Sequence, residues 1–165
     1  MADFVQSRNR SGSTRMETVE RKVVRVNPDN YFTEYTITYL KNNHKRLGYN
    51  YANREKEWMQ EMITKSGLNV ELKFVNDAGG MTGLTTIHKD GSATIELFNM
   101  TPSSVVAIDS FLHELAHAVD AHNYYLEHGD VKKLKEHGKS WKKIAVQMGT
   151  PPYNSLSMFD RGSRF

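Results

Sequence analysis

The stretch that decides the fold is "FLHELAHAVDAH", residues 111–122. It places His113 and His117 four residues apart, with Glu114 directly after the first. On an α-helix four residues turn through about 40° and rise about 6 Å, so both imidazoles leave the same face. Two imidazoles so placed can grip one Zn²⁺ at about 2.0–2.1 Å each. Glu114 is rotated about 100° from His113, too far round to be an equivalent ligand but able to reach a water held there. Two ligands and a general base then share one turn. Chance alone would produce the pattern in roughly 2% of chains of this composition, so the neighbouring residues must decide between a metal site and a polar patch.

The neighbours favour a site. Val105, Ile108, Leu112, Leu115 and Val119 recur at 3–4 spacing, the stripe of a helix bedded in a core. Asp109, His113, His117 and Asp120 form the adjoining stripe. Four ionisable groups beside a core-facing stripe are costly unless paired or metal-bound. Asp109 and Asp120 are thus candidates to orient the ligand imidazoles through their remaining N–H groups, the alternative being exposed helix residues.

A catalytic zinc usually takes three protein ligands and a water. A third histidine at metzincin spacing would fall at position 123, which is Asn123. His122 lies about 180° round the helix from His113. Glu127 and His128 stand at the far end of the same helix. Further on, Leu134, His137, Trp141, Ile144 and Met148 recur at spacings that trace one helix face, with lysines 132, 133, 135, 139, 142 and 143 on the rest. His137 then points inward, and Gly138 beside it permits close helix approach. His137 is the expected third ligand; Glu136 is a second choice off the stripe, and a buried structural histidine is the alternative role for His137.

Outward from these motifs, "VELKF" (70–74) alternates apolar and charged residues like a half-buried strand. "GLTTIHKDGSATIELF" (83–98) reads as two strands about an Asp90-Gly91 turn, with Ala93, Ile95 and Leu97 inward and Phe98 outward. "YANREKEWMQEMITKSG" (51–67) reads as a helix closed by Gly67. "YFTEYTITYLKNNHKRLGY" (31–49) carries helix and strand signals together, and its apolar spacing tips the expectation to helix. Thr101 and Pro102 are expected to cap and open the histidine helix, which runs to about Gly129. The last helix is expected over 131–148, stopped by Gly149, Pro151 and Pro152. The expected architecture is α+β: a small antiparallel or mixed sheet packed on the histidine helix, with a C-terminal helix bringing the third ligand. The domain spans 28–149, between a flexible basic arm (1–27) and a tail (150–165).

Composition bounds the function. In 165 residues, 38% are hydrophobic and 25% charged, which fits one soluble domain with tails. The absence of cysteine excludes disulfide frameworks and thiolate zinc ribbons, leaving His, Asp and Glu to hold any metal. No run approaches the ~18 apolar residues of a membrane span, and the start lacks a secretory leader's apolar core, which points to a cytoplasmic protein. The net charge of +3 says little, but residues 130–149 hold six lysines against two acids. Such a stripe serves as a solvated helix face or as a contact for nucleic-acid phosphates.

"HELAH" (113–117) followed by "HGKSW" (137–141) resembles the SprT-like family, whose pattern is HExxH, then a histidine-glycine pair and an aromatic. The hairpin and "GSATIEL" (91–97) look similar too, and the resemblance covers about residues 50–149. It implies a zincin-type metallopeptidase with His113, His117 and His137 on zinc and Glu114 as base. The family includes proteases that digest proteins crosslinked to DNA. This chain lacks the family's C-terminal cysteine ribbon and looks like the compact versions of phage genomes, which would place it in the host cytoplasm. The expected chemistry is peptide hydrolysis by a zinc-activated water, with Tyr124, Tyr125, His122 and Tyr153 as candidate oxyanion donors. Strand 92–98 is the expected partner of an extended peptide substrate. Weak non-specific DNA binding and no membrane contact complete the expectation. Two other classes compete: a nucleic-acid-binding module with a structural or relic zinc, and a peptidoglycan or virion-associated zinc amide hydrolase.

Overall fold

The alternating stretches at 70–98 form the sheet that supports the histidine helix. In a computed structural model, which describes residues 25–32, 37–39, 44–76 and 79–150, β3 (Val70–Val75) pairs parallel with β5 (Ala93–Phe98). The hairpin partner β4 (Gly83–Ile87) pairs antiparallel with the other side of β5. The order is β3-β5-β4, a mixed sheet with β5 in the centre. Ala93, Ile95 and Leu97 are buried as the alternation requires. Phe98 is buried as well, against expectation. Because β5 is hydrogen-bonded on both sides, it cannot accept a peptide strand as foreseen. The outer side of β4 is the edge nearer the site.

Ahead of the sheet come α1 (Asp29–Phe32), β1 (Ile37–Tyr39), β2 (Lys45–Leu47), a 3-10 turn (Tyr49–Tyr51) and α2 (Glu55–Ser66). The expected helix over 31–49 is therefore a short helix followed by an antiparallel pair, β1 with β2. Thr and Tyr in this segment take the strand because a second strand lies alongside, with Thr38 Oγ1 donating to the Arg46 carbonyl at 3.1 Å. Helix α2 starts four residues later than expected, closes at Gly67 as expected, and buries Trp58, Met59, Met62 and Ile63. The Trp58 and Phe111 rings meet edge to face at 6.0 Å, which fixes α2 on the helix that carries the histidines.

That helix, α3 (Ala107–His128), is the spine of the fold. It starts later than Thr101 and Pro102 predict. The Thr101 and Ser104 carbonyls each accept from a backbone N–H three residues on, giving two successive tight turns before the α-helix begins. Val105 consequently lies outside it and is half exposed, while Ile108, Leu112, Leu115 and Val119 are fully buried. The final helix, α4 (Lys139–Met148), is also shorter than expected, since residues 131–138 form turns. Both α3 and α4 end on glycines in the left-handed region, Gly129 and Gly149. Trp141, Ile144 and Met148 pack inward, and the six lysines at 132–143 are exposed.

Most of the expected N-terminal arm and all but one residue of the tail lie outside the described residues. At the inner edge of the arm, the Val26 N–H donates to Asn123 Oδ1 at 2.9 Å, and Asn123 Nδ2 donates back to the Val26 carbonyl at 3.0 Å. Residues 25–27 are thus tied to α3. Among the described residues no helix is long and apolar enough to cross a membrane.

Candidate metal centre

His113 and His117 stand one turn apart on α3, as the i,i+4 spacing dictates. His137 reaches them from the turn just before α4, two residues ahead of its first helical residue. Its inward direction comes from that turn and not from the helical stripe that singled it out. The Nε2 atoms converge: His117 to His137 is 3.2 Å and His137 to His113 is 3.3 Å. Tetrahedral ligands at the usual Zn–N length would stand about 3.3 Å apart. The three donor atoms lie within 4.8 Å of one another, a cluster able to hold a metal ion.

Trp141 fixes the cluster from below. Its ring is stacked on His117 at 5.2 Å and lies 4.8 Å from both His113 and His137. Burial, and next the charges of His117 and His137, push the His113 pKa down to about 2. Burial and the charge of His137 push His117 down to about 3. Burial lowers His137 as well, against the attraction of Glu136. All three imidazoles are therefore neutral at pH 7, the form a metal requires.

Glu114 is 2% exposed and projects toward β4. The Thr85 hydroxyl lies 2.6 Å from Glu114 Oε1 and 3.0 Å from its backbone carbonyl. The other oxygen, Oε2, is buried with no hydrogen-bond partner among the described residues. Burial raises the Glu114 pKa to about 8, the Thr85 hydrogen bond pulling against this and the charge of Glu136 adding to it. A carboxylate held at one oxygen and unsatisfied at the other suits a group meant to take a proton. Gly83 makes room for it: a Cβ there would stand 2.9 Å from Oε2. Sequence reasoning missed Gly83, Thr85 and the role of Trp141. The first two lie about thirty residues from Glu114, and no local pattern links them to it.

Asp109 and Asp120 join α3 to neighbouring elements. Asp109 forms a buried ion pair with Lys45 Nζ at 2.9 Å, tying α3 to β2. Asp120 accepts a hydrogen bond from Ser140 and faces the charge of Arg25, while burial holds its pKa above the usual carboxylate value. It thereby ties α3 to the start of α4, next to the turn that carries His137. Glu127 and His128 pair with each other at 3.8 Å on the exposed end of α3. Tyr124 packs on His128 at 4.0 Å, His122 and Tyr125 line a cavity farther along α3, and Tyr153 lies outside the described residues. No protein-family model matches the chain, and no curated protein matches it in sequence.

Proposed function

We propose that the protein is a zinc-dependent metallopeptidase of zincin type, akin to the SprT-like family. The observation that carries this reading is the meeting of His137 Nε2 with those of His117 and His113 at 3.2 and 3.3 Å, next along α3 to a buried carboxylate with one unsatisfied oxygen. His113, His117 and His137 would hold the ion, and three imidazoles suit zinc among the first-row metals. When bound, zinc supplies a Lewis acid for the scissile carbonyl, acidifies a water and favours the ionised form of the nearby carboxylate.

The chain's own residues do the rest. Glu114 takes a proton at Oε2 and returns it to the leaving amine. Thr85 holds the other oxygen, so the carboxylate keeps one orientation through both transfers. The free edge of β4 offers backbone N–H and C=O groups to an extended peptide, and Gly83 and Thr85 on that strand bring it up to Glu114. The exposed lysines of 132–143 give a surface for weak, sequence-independent contact with DNA phosphates, which fits a substrate bound to DNA.

The test is metal analysis together with a casein-cleavage assay of wild type and Glu114→Gln. One zinc per chain is expected in both proteins, with turnover about 10²–10⁴ lower in the variant. Zinc loss in Glu114→Gln would make Glu114 a ligand, and equal cleavage by the two proteins would end the mechanism.

A further inference from the structure

Between the C-terminal half of α3 and one end of the sheet lies a cavity of about 350 Å³. It exists because the facing residues are small: Ala118 and Ala121 on α3, Gly91 and Ala93 at the start of β5. Val70, Ala93 and Ile87 stand side by side in one row across the three strands and form its roof. The size falls within the ~300–1,000 Å³ range of small-ligand pockets, and the walls are mostly apolar.

The cavity lies on the same face of α3 as Glu114, farther along the helix. Ala118, Ala121 and Tyr125 follow Glu114 by four, seven and eleven residues, which keeps all of them within about 40° of one helix face. On β4, Ile87 follows Thr85 by two residues and so points to the same side of the strand. Thr85 closes on Glu114, whereas one helical turn farther, about 6 Å, the small residues leave the space open.

We infer that this cavity is a specificity pocket for one large apolar side chain, of the phenylalanine or leucine class, on a peptide lying along β4. Mostly apolar walls favour such a group, with Lys89 and Asp130 the charged residues of the lining. The assignment to a peptide rests on the metallopeptidase reading; the preference for an apolar group does not.

Ala121→Leu tests this, because leucine keeps the helix propensity of alanine and fills the space. Two measurements are made on wild type and variant. The first is kcat/KM on peptides carrying Phe, Leu, Ala or Asp at each position in turn. The second is a titration with N-acetyl-phenylalanine amide, and with its alanine counterpart, followed by amide NMR. Wild type should favour Phe or Leu over Ala at one fixed position by roughly 10–200-fold, the usual worth of filling an apolar pocket. Ala121→Leu should lose that preference. The Gly91 and Gly129 amide signals should shift with the phenylalanine amide alone, and only in wild type. Absence of those shifts, or an unchanged preference in Ala121→Leu, overturns the pocket. Shifts that vanish in Ala121→Leu while no peptide is cleaved would keep the pocket and end the peptidase reading. If Ala121→Leu does not fold, Val131→Trp, another lining position, takes its place in both measurements, with the same expected and refuting results.

Discussion

The buried titratable groups of the candidate metal centre predict an unusual pH profile for the metal-free protein, and His137, which burial also lowers, acts in the same direction as the two histidines of α3. His113 and His117 have folded pKa values near 2 and 3 against 6.5 in the unfolded chain. Below pH 6.5 the unfolded state therefore binds two more protons than the folded state, and stability falls as pH falls. Glu114 has the opposite sign. Its folded value near 8 lies above 4.5, so between these limits the folded state holds the extra proton and stability falls as pH rises. Each fully displaced group contributes about 1.4 kcal/mol per pH unit. From pH 6.5 down to 5.5 the two histidines cost about 2.0 kcal/mol and Glu114 returns about 1.3, a net loss of about 0.7. From pH 6.5 up to 8 Glu114 costs about 1.7 kcal/mol, while the unfolded histidines lose their remaining protons and return about 0.8, a net loss of about 0.9 kcal/mol. The stability maximum should therefore sit near pH 6.5. Glu114→Gln should abolish the alkaline loss and raise the loss between pH 6.5 and 5.5 about threefold, while all other groups stay common to both proteins. The assay is urea unfolding of chelator-treated protein at pH 5.5, 6.5 and 8, followed by fluorescence of the buried Trp58 and Trp141. A wild type equally stable at pH 6.5 and 8, or a Glu114→Gln variant that keeps the alkaline loss, refutes the reasoning.

Removing the third ligand should be severe: His137→Ala is expected to lower zinc affinity about 10²–10³-fold, taking one share of a site worth about 10–16 kcal/mol, whereas His122→Ala should bind normally in a competition titration. Thr85→Val removes the hydroxyl from Glu114, so kcat should fall about 10–100-fold with zinc content unchanged, as expected for a hydrogen bond to a charged group. Gly83→Ala should act on the same carboxylate by contact, lowering kcat by up to about 10² without loss of metal. Lys45→Ala removes the cation paired with buried Asp109 and should cost about 3–5 kcal/mol in thermal unfolding, while a Lys45→Met, Asp109→Leu double variant should recover most of that loss.

What the sequence determined by itself is whatever depends on neighbours a few residues apart. The pairing of His113 and His117 on one face follows from helical geometry alone. The 83–98 hairpin follows from alternation about Asp90-Gly91, and the ends of α3 and α4 at Gly129 and Gly149 follow from the need for a left-handed residue. The tertiary structure decided what depends on contact between distant segments. Residues 37–39 became a strand because residues 45–47 lay beside them, overriding an apolar spacing that favoured helix. His137 was singled out by a periodicity that stops short of it; a turn, not a helix, brings it to the other two imidazoles. Asp109 and Asp120 share the histidine face in sequence, yet Lys45 and Ser140 claim them, since a buried carboxylate is held by whichever donor the packing sets against it. The same packing puts Thr85 and Gly83 on Glu114, and it hydrogen-bonds both sides of β5, leaving β4 as the edge beside the site. Helical and strand periods record which face a residue takes, and only the folded chain records what meets that face.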